Sequence, residues 1–173
     1  MQIFSIRNAA KKDASLVAVL GATTFYEAYF EHDEPRVLTD YILDSFSVEK
    51  IRREIADPNS RFYVAYLNNR AIGYARLIQD SRHDSVSGDR VVELKRIYIV
   101  ERHWGMGYGE KLLLHCINEV RSLAADTIWL SVWQQNERGI RFYKRQGFGK
   151  VGTLNFMFGD VEETNEVMQL TLS

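Results

Sequence analysis

The stretch "WGMGYGEKLLLHC", residues 104–116, decides how the rest of the chain is read. Gly105, Gly107 and Gly109 stand at every second position and run straight into an amphipathic helical pattern. A helix N-terminus carries unpaired N–H donors and about half a positive charge, so it favours phosphate. Glycine adds close backbone approach and free φ. The stretch therefore reads as a cradle for a phosphate or pyrophosphate, and its surroundings must say which phosphorylated molecule it holds.

Those surroundings belong to a chain of 173 residues with 46% apolar residues, two prolines and a net charge of −1. That length suits one domain, residues 1–173, able to bury a real core. The near-neutral charge argues against nucleic acid as the main ligand, which needs a clustered basic surface. The single cysteine, Cys116, falls in apolar phase with Leu112, Leu113 and Val120 and reads as a core residue. No signal-peptide core and no membrane-length apolar run is present, so the chain reads as cytoplasmic with no membrane partner. His32, His83, His103 and His115 show no ligand spacing with Cys, Asp or Glu, and no metal is expected.

Working outward, residues 2–7 alternate as a strand, and Asp13 is placed to cap a helix carrying Leu16, Val17, Leu20 and Phe25 on one face. Pro35 is expected to end or offset this first helix, after which apolar residues recur at helical spacing to Asp57, with a break near Ser47. Strand patterns follow at 61–67 and 71–78, joined by the turn residues Asn68, Asn69 and Arg70, and then at 91–100. Beyond the glycine helix come a strand at 127–133 and a helix capped by Asn136 and stopped by Gly147, then closing strands within 148–159 and 166–173.

Context narrows the loop. A nucleotide-hydrolysing P-loop ends in glycine, lysine and serine or threonine, whereas Gly109 is followed by Glu110 and Lys111. A dinucleotide fingerprint belongs after the first strand of a parallel sheet, and this loop follows a fourth strand in a largely antiparallel order. The segment from Glu93 to Phe148, "ELKRIYIVERHWGMGYGEKLL" with "WLSVWQQNERGIRFYKRQGF", resembles the core of the GNAT superfamily of acyl-CoA-dependent N-acetyltransferases. The family's Gln/Arg-x-x-Gly-x-Gly/Ala loop falls on Trp104 to Gly109, so Trp104 replaces the usual Gln or Arg. A register on Arg102 to Gly107 satisfies the letters but starts the helix two residues early. Asn136, then Tyr143, Gly147 and Phe148, match a second family signature.

The resemblance implies an α/β (α+β) GNAT fold, a central mostly antiparallel, mixed seven-stranded sheet flanked by helices and splayed between strands 4 and 5. The element order is β, two helices, three strands, helix, strand, helix, two strands. It implies acetyl-CoA as co-substrate, with the pyrophosphate held by backbone N–H groups of Trp104, Gly105, Met106, Gly107, Tyr108 and Gly109. The pantetheine would lie on Ile97, Tyr98 and Ile99, with Asn136 nearby and Lys144 within reach of a phosphate. The implied reaction is direct attack of a primary amine on the thioester. A tyrosine keeps its proton at neutral pH, so Tyr143 is the candidate general acid for the departing thiolate. Glu93 is the candidate base, with ordered water as the alternative.

The acceptor is read from residues 25–46. Tyr26, Glu27, Tyr29 and Glu31 form an acidic, aromatic stretch suited to a cation. A solvated helix end is the alternative reading of the same residues. The helical front resembles bacterial spermidine/spermine N-acetyltransferases, which implies a polyamine or other small amine. Acetylation of a protein or peptide amine, and a non-catalytic acyl-CoA-binding regulatory module, are the rival readings. Oligomeric state is left open, a homodimer included.

Overall fold

Seven strands lie in the order β1-β2-β3-β4-β5-β7-β6 in the computed structural model, which describes residues 2–172. The elements are β1 (Phe4–Asn8), α1 (Ala14–Tyr29), α2 (Pro35–Ser45), α3 (Val48–Ala56), β2 (Ser60–Leu67), β3 (Arg70–Gln79) and β4 (Val91–Ile99), then α4 (Tyr108–Ser122), β5 (Thr127–Trp133), α5 (Glu137–Arg145), β6 (Gly149–Phe158) and β7 (Val161–Thr171). Short 3-10 turns lie at Lys11–Asp13 and Glu101–His103. β1–β2, β5–β7 and β6–β7 pair antiparallel, whereas β4 and β5 pair parallel. This is the expected mixed sheet.

The parallel register runs Val91↔Thr127, Val92↔Ile128, Glu93↔Trp129 and ends there. β4 continues to Ile99, so the backbone of its second half lies outside that ladder. The splay expected between strands 4 and 5 begins after Glu93.

The chain clusters into two compact units. One holds the residues up to Leu77 together with Arg96–His115, and the other holds Ile78–Lys95 with Cys116 onward. In the first, α1 packs on α2 and α3, and α3 on β2. Its core includes Val17, Leu20, Phe25, Leu38, Phe46, Ile51, Phe62 and Tyr74. β2 and β3 join through Asn68 and Asn69, with φ of 49° and 61°. Two positive φ values in a two-residue loop make a type I′ hairpin turn, and asparagine tolerates that region better than other non-glycine residues. In the second unit Val86, Val91, Trp129 and Val167 cluster with the partly buried Leu154.

Four details differ from the sequence reading. Three helices, not two, precede β2. Pro35 starts α2 instead of ending α1, at a first-turn position where its missing N–H costs nothing, and the Glu34 carboxylate accepts from Arg36 N and Val37 N at 3.1 and 3.0 Å. Ser47 then caps α3 separately. Asp13 stands at the N-cap of α1, but its carboxylate accepts from Ala10 N at 2.8 Å. β7 begins at Val161, ahead of Glu166, because the polar run Glu162–Asn165 is zipped to β6 even though it shows no apolar alternation.

Candidate active site

The glycine loop is built as a cradle. Gly105 and Gly107 have φ of +74° and +79°, values that a side chain disfavours, and a Cβ built on either meets nothing within 4 Å. α4 starts at Tyr108, and its first backbone bond is Lys111 N to Gly107 O at 3.1 Å. The N–H groups of Tyr108, Gly109 and Glu110 therefore precede the helical ladder. The Tyr108 side chain points away from this role: it is buried, stacks on Phe4 at 5.2 Å and donates its hydroxyl to Gln2 Oε1 at 2.9 Å. Met106 is exposed. An open, glycine-lined run of N–H groups fits a pyrophosphate.

Trp104 has a role that the sequence did not reveal. Its indole Nε1–H donates to the Ile99 carbonyl at 2.6 Å and ties the loop to the end of β4. The Val100 N–H bonds Ile72 O at 2.8 Å, which holds that end against β3. Gly73 is required there, since a Cβ would lie 2.3 Å from Tyr98 O. Ile97 and Tyr98 are half-buried and Ile99 is buried.

The acidic front is less open to ligand than its composition suggests. Glu27 accepts from Glu101 N at 2.8 Å, and Glu34 is the α2 cap described above. Glu31 is exposed. Tyr26 and Phe30, 53% and 46% exposed, stack at 5.8 Å, while Tyr29 lies against Phe25 at 4.5 Å. Two of the carboxylates thus serve backbone N–H groups, a use that charge counting cannot detect.

The second unit carries the remaining candidates. Glu93 is buried, only 4% exposed. Its Oε2 accepts from the Ser81 hydroxyl at 2.6 Å, and its Oε1 pairs with Lys95 Nζ at 3.1 Å. Ser81 is held in turn, because its carbonyl accepts from Trp129 Nε1 at 2.8 Å. Asn136 caps α5 as expected, its Oδ1 accepting from Gly139 N at 2.9 Å. A Cβ on residue 139 would stand 2.8 Å from the Asn136 amide nitrogen, so glycine is needed for the cap. Tyr143 is half-buried on α5, its ring 5.3 Å from Phe142 and 5.8 Å from Phe148. Lys144 is exposed. Cys116 is fully buried, and burial pushes its thiol well above the usual range, as a core cysteine requires.

With this geometry in hand, comparison with known proteins is direct. The Acetyltransferase (GNAT) family model matches residues 22–148. The chain belongs to the GNAT acetyltransferase family. As a member it is an acyl-CoA-dependent N-acetyltransferase. It is similar to an uncharacterized N-acetyltransferase of Mycobacterium tuberculosis, 30% identical over 156 residues that cover 90% of this chain and 96% of that one. A match to the spermine/spermidine N(1)-acetyltransferase of Bacillus subtilis is 33% identical but covers 53% of this chain and 60% of that one. Among solved structures, the PaiA N-acetyltransferase from Thermoplasma acidophilum in complex with coenzyme A superposes with a TM-score of 0.80 at 20% identity, over 98% of this chain and 99% of that one. That likeness concerns the fold. Among the described residues no helix is long and apolar enough to cross a membrane.

Proposed function

We propose that the chain, as one N-acetyltransferase domain acting in the cytoplasm, moves an acetyl group from acetyl-CoA to a small primary amine by direct attack. The observation that carries this is the cradle of Gly105 and Gly107 at the start of α4, next to a β4 whose second half lies outside the β5 ladder. Bound acetyl-CoA supplies the activated thioester. The N–H groups of residues 105–109 would hold its pyrophosphate, that of Trp104 being bonded to Glu101 O at 2.9 Å, and the backbone of Ile97–Ile99 would orient the pantetheine, with the Ile99 N–H polarising the carbonyl. Asn136 commits its Oδ1 to the helix cap and has its amide N–H₂ left for this purpose. Lys144 contributes charge near a phosphate.

Tyr143 holds its proton for the sulfur of the departing thiolate. Glu93 takes the amine proton, and Ser81 and Lys95 fix the carboxylate that does so. An ammonium must lose a proton before it attacks, and protonating the departing thiolate keeps it from returning to the acyl group. For the acceptor, partial similarity to a spermine/spermidine acetyltransferase supports a polyamine, received by Tyr26, Tyr29, Glu27 and Glu31.

The test is thiol release from acetyl-CoA across a panel of amines. Tyr143→Phe is expected to abolish most turnover while CoA binding persists, and Glu93→Gln to lower kcat more than it raises KM. Full turnover in Tyr143→Phe would remove the acid from the scheme. Absence of turnover with every amine, alongside intact acetyl-CoA binding, would favour a regulatory acyl-CoA sensor.

A further inference from the structure

The turn that leads into the glycine cradle is anchored from the acceptor side of the first unit. Glu101–His103 forms one 3-10 turn between the end of β4 and Gly105. Two backbone N–H groups stay within this segment: His103 N donates to Val100 O and Trp104 N to Glu101 O, each at 2.9 Å. Those of Val100 and Glu101 leave it. Val100 N donates to Ile72 O of β3 at 2.8 Å, and Glu101 N donates to Oε2 of Glu27 on α1, also at 2.8 Å. All of these residues lie in the first unit.

The Glu27 bond differs from a local cap in three ways. It joins residues 74 positions apart, so it fixes the turn against α1 and not against its own neighbours. It acts on a segment that has little else to place it: a Cβ built on Gly105 or Gly107 meets nothing within 4 Å, and both residues hold positive φ. A glycine run without packed neighbours takes its position from its two ends, here the turn and α4. The turn also ends at Trp104, whose indole bonds Ile99 O, so a displaced turn is felt at the strand end as well as at the glycines.

Resting on the reading of residues 105–109 as the cradle of CoA, we infer that Glu27 is a positioning residue for the cofactor. Its Oε2 holds the Glu101–His103 turn, and through that turn the glycine run is ordered before the pyrophosphate arrives. Ordering in advance lowers the cost of binding. In this role Glu27 acts through backbone and not on the ligand. Its Oε1 has no hydrogen bond or ion pair among the described residues and stays available to an ammonium of the acceptor. The two duties separate by chemistry, because holding Glu101 N needs only an acceptor oxygen, whereas drawing an ammonium needs the charge. Glutamine keeps the first and loses the second.

The experiment measures CoA affinity by calorimetry, without acceptor or turnover, in wild type, Glu27→Ala, Glu27→Gln, Trp104→Phe and the double variant of Glu27→Ala with Trp104→Phe. Glu34→Ala is the control, since it removes a carboxylate of the same acidic front that caps α2. Glu27→Ala is expected to raise the CoA Kd about three- to tenfold, and Glu27→Gln to stay within about twofold of wild type. The double variant is expected to lose less than the product of the two single losses, because both act on one turn. Glu34→Ala is expected to lower Tm and leave the CoA Kd unchanged. The inference is overturned if Glu27→Ala binds CoA like wild type, if glutamine is as weak as alanine, if Glu34→Ala weakens CoA equally, or if the double variant shows the full product. A higher amine KM in both Glu27 variants with an unchanged CoA Kd would likewise overturn it and make Glu27 an acceptor residue only. The expected pattern of CoA affinities without turnover of any amine would overturn the acetyl-transfer reading and leave Glu27 in its role, whereas wild-type protein that binds no CoA would overturn both.

Discussion

Replacing Tyr74 with phenylalanine removes one oxygen atom from the least forgiving place in the first unit. The ring keeps its contacts, stacked on Phe62 at 6.5 Å and on Tyr98 at 6.1 Å. The hydroxyl, by contrast, gives up water on folding and gains no partner among the described residues. A buried donor left unsatisfied costs about 1–3 kcal/mol, so Tyr74→Phe is expected to stabilise the protein by that amount. For a chain of this length each kcal/mol moves the midpoint by about 2–4 °C, which gives a rise in Tm of about 2–12 °C. Thermal melts of the ligand-free protein, followed by calorimetry, measure it. A fall in Tm would refute the reasoning, because it would mean that the hydroxyl makes a bond worth more than its desolvation.

The same variant has a signature at high pH. Burial, opposed by Arg96, holds the Tyr74 phenol above the usual tyrosine range. Above about pH 10 the unfolded chain has released a proton that the folded chain keeps. The folded state then binds more protons, so its stability falls as pH rises. Tyr74→Phe is expected to lose stability less steeply above about pH 10. The buried Cys116 thiol acts in the same direction from about pH 8.5, but equally in both proteins, and cancels from the comparison.

Glu54→Gln leaves two guanidiniums, those of Arg76 at 2.9 Å and Arg96 at 2.6 Å, without their shared carboxylate and is expected to destabilise by about 3–5 kcal/mol in urea unfolding, with a loss below about 1 kcal/mol arguing that the triad is hydrated. Gly73→Ala drives a methyl against Tyr98 O, 2.3 Å away before relaxation, and is expected to cost about 1–3 kcal/mol by the same measurement. Trp104→Phe removes the indole bond to Ile99 O, so acetyl-CoA KM should rise several-fold with little change in kcat; an unchanged KM would separate that bond from cofactor binding. Asp126 accepts from Asp89 N and Arg90 N, which hold its carboxyl below the usual carboxylate range. Its contribution is present above the unfolded value near pH 3.9 and is lost as pH falls through the lowered one, so Asp126→Asn should flatten the acid limb of the stability curve.

What could be read from the residues was whatever has a local signature. Alternation gave most strands, Asn68–Asn69 the hairpin, and the glycines of 105–109 the cradle, because each conformation is dictated within a few residues. Trp104 looked like a departure from a family letter, and only the fold could bring its indole to Ile99 O. The acidic front shows the converse: Glu27 and Glu34 contribute charge to any count, yet each commits one carboxylate oxygen to backbone N–H groups. β7 was read short because its polar start is held by β6 and not by burial. The Glu54–Arg76–Arg96 triad joins a helix and two strands, and no periodicity relates such positions.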